Sequence, residues 1–298
     1  MYHLSVLLKE CVDGLAIKPD GIYVDVTFGG GGHSHAILEK LGPAGQLIAF
    51  DQDEDAFRNA IEDRRLKLIH ANFSDLKKFL RLECISRVDG IMADLGVSSY
   101  QFDTAERGFS YRFEGPLDMR MNIKSELTAA DVLNNYDEEG LVKMFSEFGE
   151  VPNSKRLAKA VVDIRKSKPF STTDGFVSFL ESGLVMGERW KYLSQVFQAI
   201  RMEVNNELEV LKSFLEQSAE LLNEEGRICV ITFHSIEDRL VKQFFKNGVF
   251  SEEPVKDEFG RFEVPFKLFN KKPIEASDLE QKVNSRSRSA KLRIGIKK

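Results

Sequence analysis

The chain has 298 residues, a formal net charge of −5, 42% apolar and 30% charged residues. That balance describes a globular protein of one to two domains with ample core. No apolar run approaches the roughly 18 residues of a membrane helix, and Lys9 and Glu10 interrupt any signal-like core at the N-terminus. Cys11, Cys84 and Cys229 stand apart, without paired or zinc-like spacing. They are expected to be small core residues in a reducing, cytoplasmic compartment.

Ser5 to Leu15 places Val6, Leu7, Cys11, Val12 and Leu15 on one helical face. Residues 22–28 form a β-branched and aromatic run that predicts a strand, and Gly29 to Gly32 follow it directly. A helix is predicted from His33 to Leu41, a second strand over 46–51, and a helix over 53–63. A third strand is expected over 66–73, with Ser74 capping a helix to Leu82, and a fourth over 89–95. This alternation implies a parallel sheet.

The alternation then stops. From about Phe109 to Glu203 the pattern is helical, with helices expected at 138–148, 154–166, 175–183 and 190–203. A helix over 205–223, a fifth strand over 227–233 and a helix capped by Ser235 and running to about Lys246 resume the order. Two late strands are expected near 264–269 and 290–296, and the proline-punctuated stretch 250–289 reads as a long surface excursion. The expected organisation is therefore a discontinuous α/β domain, 1–108 and 204–298, with a helical domain, 109–203, inserted after the fourth strand.

Four glycines after a strand let backbone N–H groups approach a ligand, and the following helix N-terminus attracts anionic groups. Asp51 closes the second strand 22 residues after Gly29, about the offset at which an acid reaches ribose hydroxyls. Ser34 stands where a dinucleotide fingerprint needs Gly or Ala, and Asp25 lies inside the first strand. An acid, a glycine turn and a second acid look more like an S-adenosylmethionine site than a nicotinamide site. Ligands of open α/β sheets bind at the C-terminal strand ends. Those ends supply Gly29 to His33, Asp51, Phe73, Asp94 with Ser98 and Ser99, and His234 with Ser235. Plainer readings stand beside these: a helix cap for Asp51, core packing for Phe73, a strand-end cap for Asp94 and a structural role for His234.

Charge is unevenly distributed. Lys282 to Lys298 holds seven basic residues and no acid, and Lys155 to Lys168 holds six against Asp163. Such stripes on an acidic protein are either local phosphate footprints or solvated faces. In the tail, Leu292, Ile294 and Ile296 alternate with Arg293 and Lys297. A last strand is expected to bury the first set and present the cations. Residues 285–289, Ser-Arg-Ser-Arg-Ser, are expected to form a loop whose Arg286 and Arg288 clamp phosphates.

The chain resembles the bacterial 16S ribosomal RNA (cytosine-N4) methyltransferases, the MraW/RsmH family, over nearly its whole length. The resemblance is carried by Thr27-Phe28-Gly29 with Gly31-Gly32-His33-Ser34, Asp51-Gln52-Asp53, Asp94-Leu95-Gly96-Val97-Ser98-Ser99 and Gln101. Further matches are 105–110, 115–121, Val204-Asn205-Asn206-Glu207-Leu208, Phe233-His234-Ser235-Ile236-Glu237-Asp238-Arg239 and 285–293. The chain departs at Ser5 and Tyr100, where the family often has Pro, and at Gly30, where it often has Arg.

The resemblance implies a Rossmann-like class I fold and S-adenosylmethionine as methyl donor. By position, Gly31, Gly32 and His33 would meet its tail and Asp51 its ribose. Phe73 would lie at its adenine, with Asp94 and Gln101 nearby. The implied substrate is the exocyclic N4 amine of decoding-site cytosine 1402 in 16S ribosomal RNA or the small subunit, with the inserted domain docking the RNA. A homodimer stays open. Acceptors on the two N4 hydrogens would localise the amine lone pair, so positioning matters more than a strong base. Asp94, Ser98 and Ser99 are the candidate acceptors, ahead of Asp118, Arg120 and His234. A nicotinamide-dependent oxidoreductase and a catalytically silent ribosome-assembly factor are the alternatives.

Overall fold

The computed structural model describes residues 5–251 and 263–298, and it divides them between two units. The first holds residues up to Gly96 and from Glu209 onward; the second is Val97–Leu208.

The first unit opens with α1 (Leu8–Leu15), shorter than its periodicity predicts. Ser5 to Leu7 leave the helix because Leu7 takes a left-handed conformation, φ 52°. There follow β1 (Ile22–Asp25), α2 (Gly32–Lys40) and β2 (Gln46–Asp51). The helix expected over 53–63 is only a 3-10 turn, Glu54–Asn59, because Ala60 turns extended after it. Next come β3 (Leu66–His70), α3 (Leu76–Leu82) and β4 (Val88–Asp94). Phe73 leaves the strand: Asn72, not Ser74, caps a 3-10 turn over Phe73–Asp75 by accepting from the Ser74 N–H.

The second unit contains α4 (Ser99–Asp103), α5 (Ala129–Asn135), α6 (Glu138–Glu147), α7 (Ser154–Arg165), α8 (Thr173–Glu181) and α9 (Arg189–Val204). Side-chain caps fix where α4, α5, α6 and α8 begin, whereas α7 and α9 start without one. Thr128 and Asp131 close a capping box at α5, Asp137 accepts from the Gly140 N–H at α6, and Thr172 accepts from the Gly175 N–H at α8. The amphipathic faces meet in one core that includes Leu133, Phe145, Leu157, Phe176, Leu193 and Phe197. The sequence missed α4 and α5, which are too short to show a helical period.

The chain continues with α10 (Glu207–Leu221), β5 (Leu222–Thr232), α11 (Ser235–Asn247), β6 (Phe266–Leu268), β7 (Ile274–Glu275), α12 (Asp278–Val283) and β8 (Lys291–Lys297). The excursion expected over 250–289 thus carries three elements and a further 3-10 turn; residues 252–262 lie outside the described residues. The strand order is β3-β2-β1-β4-β5-β8-β6, with β7 also on β8. The first five strands are parallel, and β8 runs antiparallel between β5 and β6.

Two cores flank this sheet. Val24, Ile48, Phe50, Ile91, Val230 and Phe245 belong to one face, and Tyr23, Leu47, Met92, Cys229, Leu292 and Ile294 to the other. Cys11 and Cys229 are buried as expected, but Cys84 is exposed. Arg293 corrects the outward-facing expectation for the tail: it is 6% exposed and donates twice to Asp238, at 2.6 and 3.0 Å. Residues 292–295 of β8 are buried on both faces of the sheet, and the cation there survives only with a bidentate partner. Residues 285–289 are likewise not a free loop. They form a 3-10 turn with Ser287 fully buried, its hydroxyl donating to the Asn284 carbonyl at 2.7 Å. Among the described residues no helix is long and apolar enough to cross a membrane.

Candidate active site

β1, β2 and β4 run parallel side by side, and each ends in an acid: Asp25, Asp51 and Asp94. The glycine turn leaves β1 between them. Gly29 and Gly31 take φ of 49° and 77°, a region where a side chain is strained. Gly31 also caps α2, its would-be Cβ lying 3.0 Å from the Phe28 ring. Gly30 is different: a Cβ there would meet nothing within 4 Å. The open space leaves room for a larger side chain at this position.

Asp25 is the buried brace of the turn. Its carboxylate accepts from the Ser34 hydroxyl at 2.7 Å and the Thr27 N–H at 3.1 Å, and burial raises its pKa. The Thr27 hydroxyl in turn accepts from the Asp94 N–H at 2.7 Å, tying β4's end to the turn. Asp51 accepts from the Gly29 N–H at 2.8 Å and from the Asp53 N–H at 2.9 Å. Burial pushes its pKa up to about 6 against those two bonds. Each carboxylate oxygen has a second lone pair, so Asp51 still has room for hydroxyl donors.

His33 sits at the start of α2, 6% exposed. Its Nε2 lies 3.0 Å from the Val6 carbonyl, and a carbonyl only accepts, so Nε2 carries the proton. Nδ1 then turns to Asp94 Oδ2, 3.8 Å away. The segment before α1 lies over the turn: Ser5 Oγ would stand 2.0 Å from a Cβ at Gly32, and the Leu7 N–H donates to Glu280 at 2.8 Å.

Asp94 is the most exceptional group. Its Oδ1 is buried and has no hydrogen-bond partner among the described residues. Burial pushes its pKa up to about 6; the His33 ring opposes this, while the Asp25 and Glu237 carboxylates add to it. A buried, unpartnered carboxylate oxygen costs stability and is expected where a ligand donates.

Phe73 is half-buried just beyond β3, its ring edge-on to Phe214 at 5.4 Å between centroids. His234, not Ser235, caps α11: its Nδ1 accepts from the Glu237 N–H at 3.5 Å. Its Nε2 lies 3.2 Å from a Glu237 carboxylate oxygen. The cap gives His234 a positional role in α11's first turn, while its buried Nε2 makes no hydrogen bond with the described residues. The remaining sequence candidates lie in the second unit. Ser98 and Gln101 close the capping box of α4, Ser98 accepting from the Gln101 N–H and Gln101 from the Ser98 N–H, and Ser99 opens the helix. Asp118 and Arg120 form a bidentate pair within one turn, at 3.0 and 2.7 Å. Sequence reasoning noted Asp25 but missed Thr27 and the Ser5–Leu7 segment. The Thr27–Asp94 bond joins neighbouring strand ends and leaves no local sequence signature.

A mostly parallel sheet in this order, with a glycine turn after β1 and an acid closing β2, is the Rossmann-like frame of an S-adenosylmethionine-dependent methyltransferase. The side-chain-free cradle at Gly29 and Gly31 fits such a donor's polar tail. The sequence profile of the MraW methylase family matches residues 1–298, and the chain belongs to that family. Three curated relatives carry the name ribosomal RNA small subunit methyltransferase H. That of Flavobacterium psychrophilum is 56% identical over 98% of this chain and 100% of its own length. The Flavobacterium johnsoniae protein is 56% identical over 99% and 98%, and the Bacteroides thetaiotaomicron protein 50% identical over 100% and 98%. Family membership removes the nicotinamide-dependent oxidoreductase reading.

Proposed function

We propose that this chain methylates small-subunit ribosomal RNA, and that its acceptor is the exocyclic N4 amine of cytosine 1402 in 16S ribosomal RNA. The curated relatives' shared name supports the substrate class. The observation that carries the amine reading is the buried Asp94 oxygen without a donor. An exocyclic amine brings two N–H donors and no acceptor, which suits a site with a spare carboxylate lone pair.

S-adenosylmethionine, when bound, supplies an electrophilic methyl group. Every other part of the reaction falls to the chain. Gly31, Gly32 and His33 hold the donor's amino-acid tail, Asp51 takes the ribose hydroxyls, and Phe73 packs on the adenine face. Gln101 is a further contact of the donor. Asp94 accepts an N4 hydrogen and so draws the amine lone pair out of conjugation with the ring. Ser98 and Ser99, which follow Asp94 in the chain, are retained as additional acceptors. Ser98 already accepts one bond as the α4 cap, and its hydroxyl keeps a second lone pair. The amine proton becomes acidic as the new N–C bond forms, and an Asp94 carboxylate with a pKa near 6 is basic enough to take it. A cytosine paired or stacked in RNA must leave its stack to present this amine.

The test is methyl transfer from radiolabelled donor to small ribosomal subunits, with mass spectrometry of the RNA product. A single added methyl on N4 of cytosine 1402 is expected, absent with Asp94→Asn. Methylation of another atom or another nucleotide would overturn the acceptor assignment. No transfer at all by the wild-type protein would favour a silent assembly factor on the same fold.

A further inference from the structure

The end of the sheet opposite the glycine turn has a chemistry of its own. There β4 and β5 begin and antiparallel β8 ends, Arg227 pairing with Ile296. A cavity of about 870 Å³ opens at this pole. Its walls bring together Lys77 and Arg81 of α3, Arg87 ahead of β4, and Lys297 and Lys298 at the end of the chain. Five side-chain cations therefore meet two side-chain carboxylates, Glu220 and Glu224, and the α-carboxylate of Lys298, on a chain whose net charge is −5.

The carboxylates do not cancel this charge. Lys77 already pairs with Glu220, and Arg87 donates to the Glu220 and Leu222 carbonyls at the end of α10. Arg81, Lys297 and Lys298 make no side-chain hydrogen bond or ion pair with the described residues. Clustered like charges raise the local positive potential, which Glu220, acting on Arg81 and Arg87 as well as Lys77, offsets only in part, and such a potential favours a bound anion. The remaining wall consists of small or aliphatic residues such as Ile85, Ser86 and Ala219, with no aromatic ring. A base or nucleoside would find nothing to stack on there, whereas a phosphate chain needs only the cations.

We propose that this cavity is a binding site for RNA phosphodiester backbone, a second anchor for the substrate at the pole of the sheet remote from Asp51 and Asp94. The inference rests on the RNA-methyltransferase reading above. It assigns to Arg81, Lys297 and Lys298 a sequence-independent grip that the methyl-transfer site does not supply.

Cys84 makes the site observable. It lines the cavity and is exposed, while Cys11 and Cys229 are buried. Its alkylation rate in the full-length protein therefore reports occupancy. A single-stranded oligoribonucleotide of about 15 nucleotides is expected to slow Cys84 alkylation about fivefold or more, and inorganic pyrophosphate at equal phosphate concentration is not. Equal protection by pyrophosphate would make this a small-anion site and overturn the backbone assignment. The double variant Arg81→Glu, Lys298→Glu is expected to bind the same RNA at least about tenfold more weakly. Its salt dependence should be shallower by roughly 1.4 in slope, about 0.7 for each lost single-strand contact. Donor binding should stay at the wild-type value, which also shows that the variant folds. Unchanged RNA affinity and slope, with an unchanged KM for small subunits, would sink this inference alone. Absence of methyl transfer by the wild-type protein would instead sink the reading on which it rests.

Discussion

Asp51 holds the glycine turn through Gly29 and still offers lone pairs outward, so its replacement must separate the two jobs. Asp51→Asn keeps a carbonyl acceptor for the turn but removes the charge. Loss of charge-assisted bonds to a ribose is worth roughly 1.5–3 kcal/mol, so calorimetry should show donor affinity falling more than tenfold. In the wild type, affinity should also fall as pH drops through about 6, where Asp51 protonates, and the Asn variant should lack that inflection. Flat wild-type affinity from pH 7.5 to 5 would remove Asp51 from the ribose. Stability has the opposite pH dependence to donor affinity, and Asp94 shares it with Asp51. Asp51 and Asp94 both have folded pKa values near 6, above the usual carboxylate range, so the folded chain binds more protons than the unfolded chain between roughly pH 4 and 6. Stability should decrease as pH rises through that window and level off above it. Asp94→Asn removes one buried ionisation and should raise stability at pH 7.5 by about 1–2 kcal/mol, discounted for a side chain that is 25% exposed. Methyl transfer should vanish in the same variant. A destabilised Asn variant in thermal melts would show that the ionised carboxylate is structural. These carboxylates were legible in the sequence because each closes a strand. The raised pKa values were not, since burial at a strand end depends on what the rest of the chain packs over it.

At the level of elements, strands were read more surely than short helices. β2 matched its predicted span because a short buried apolar run between turn residues has few other solutions. The stretch 53–63 has helical composition, yet Asp53 accepts from the Asp55 N–H and starts a 3-10 turn that goes no further. The tail shows the larger limit. Alternation in β8 predicted one buried face, but an interior position covers both, and sequence does not say which strand will be central. Deleting residues 290–298 should therefore prevent soluble folding, because β5 and β6 would each lose a pairing partner. Replacing Arg293 alone with Met should be better tolerated than Asp238→Ala, which strands a guanidinium that is 6% exposed. Comparing the two melting temperatures checks the order; the reverse order would mean the pair is not the anchor of α11 on β8. Arg288 is exposed and Arg286 half-buried, so Arg288→Ala is the cleaner probe of a phosphate contact in this turn. It should reduce methyl transfer while leaving the melting temperature within about 1 °C, consistent with a surface substitution.

At the scale of the whole molecule, the break in alternation after β4 was plain in the sequence, while the junctions, 96/97 and 208/209, lie in stretches with no compositional marker. The basic run in the second unit needs a finer reading than charge alone gives. Arg156 and Arg165 donate to the Gly183 and Leu133 carbonyls, so their loss would disturb the helices themselves. Lys155 and Lys159 are exposed on α7 and make no such bond. Lys155→Ala with Lys159→Ala should weaken RNA binding several-fold and flatten its salt dependence, with donor affinity unchanged. Unchanged affinity and slope would make the run a solvated face. The bond from the Leu7 N–H to Glu280 spans 273 positions of the chain. Ser5 and Val6, which that bond helps fix, press on Gly32 and set the proton on His33. Synthesis runs from the N-terminus, so the glycine turn is made long before Glu280, the residue that fastens its cover. Until Glu280 has joined, the segment over the turn lacks this tether even when β1 to β4 have formed, so fastening the cover is a late step of folding on the growing chain.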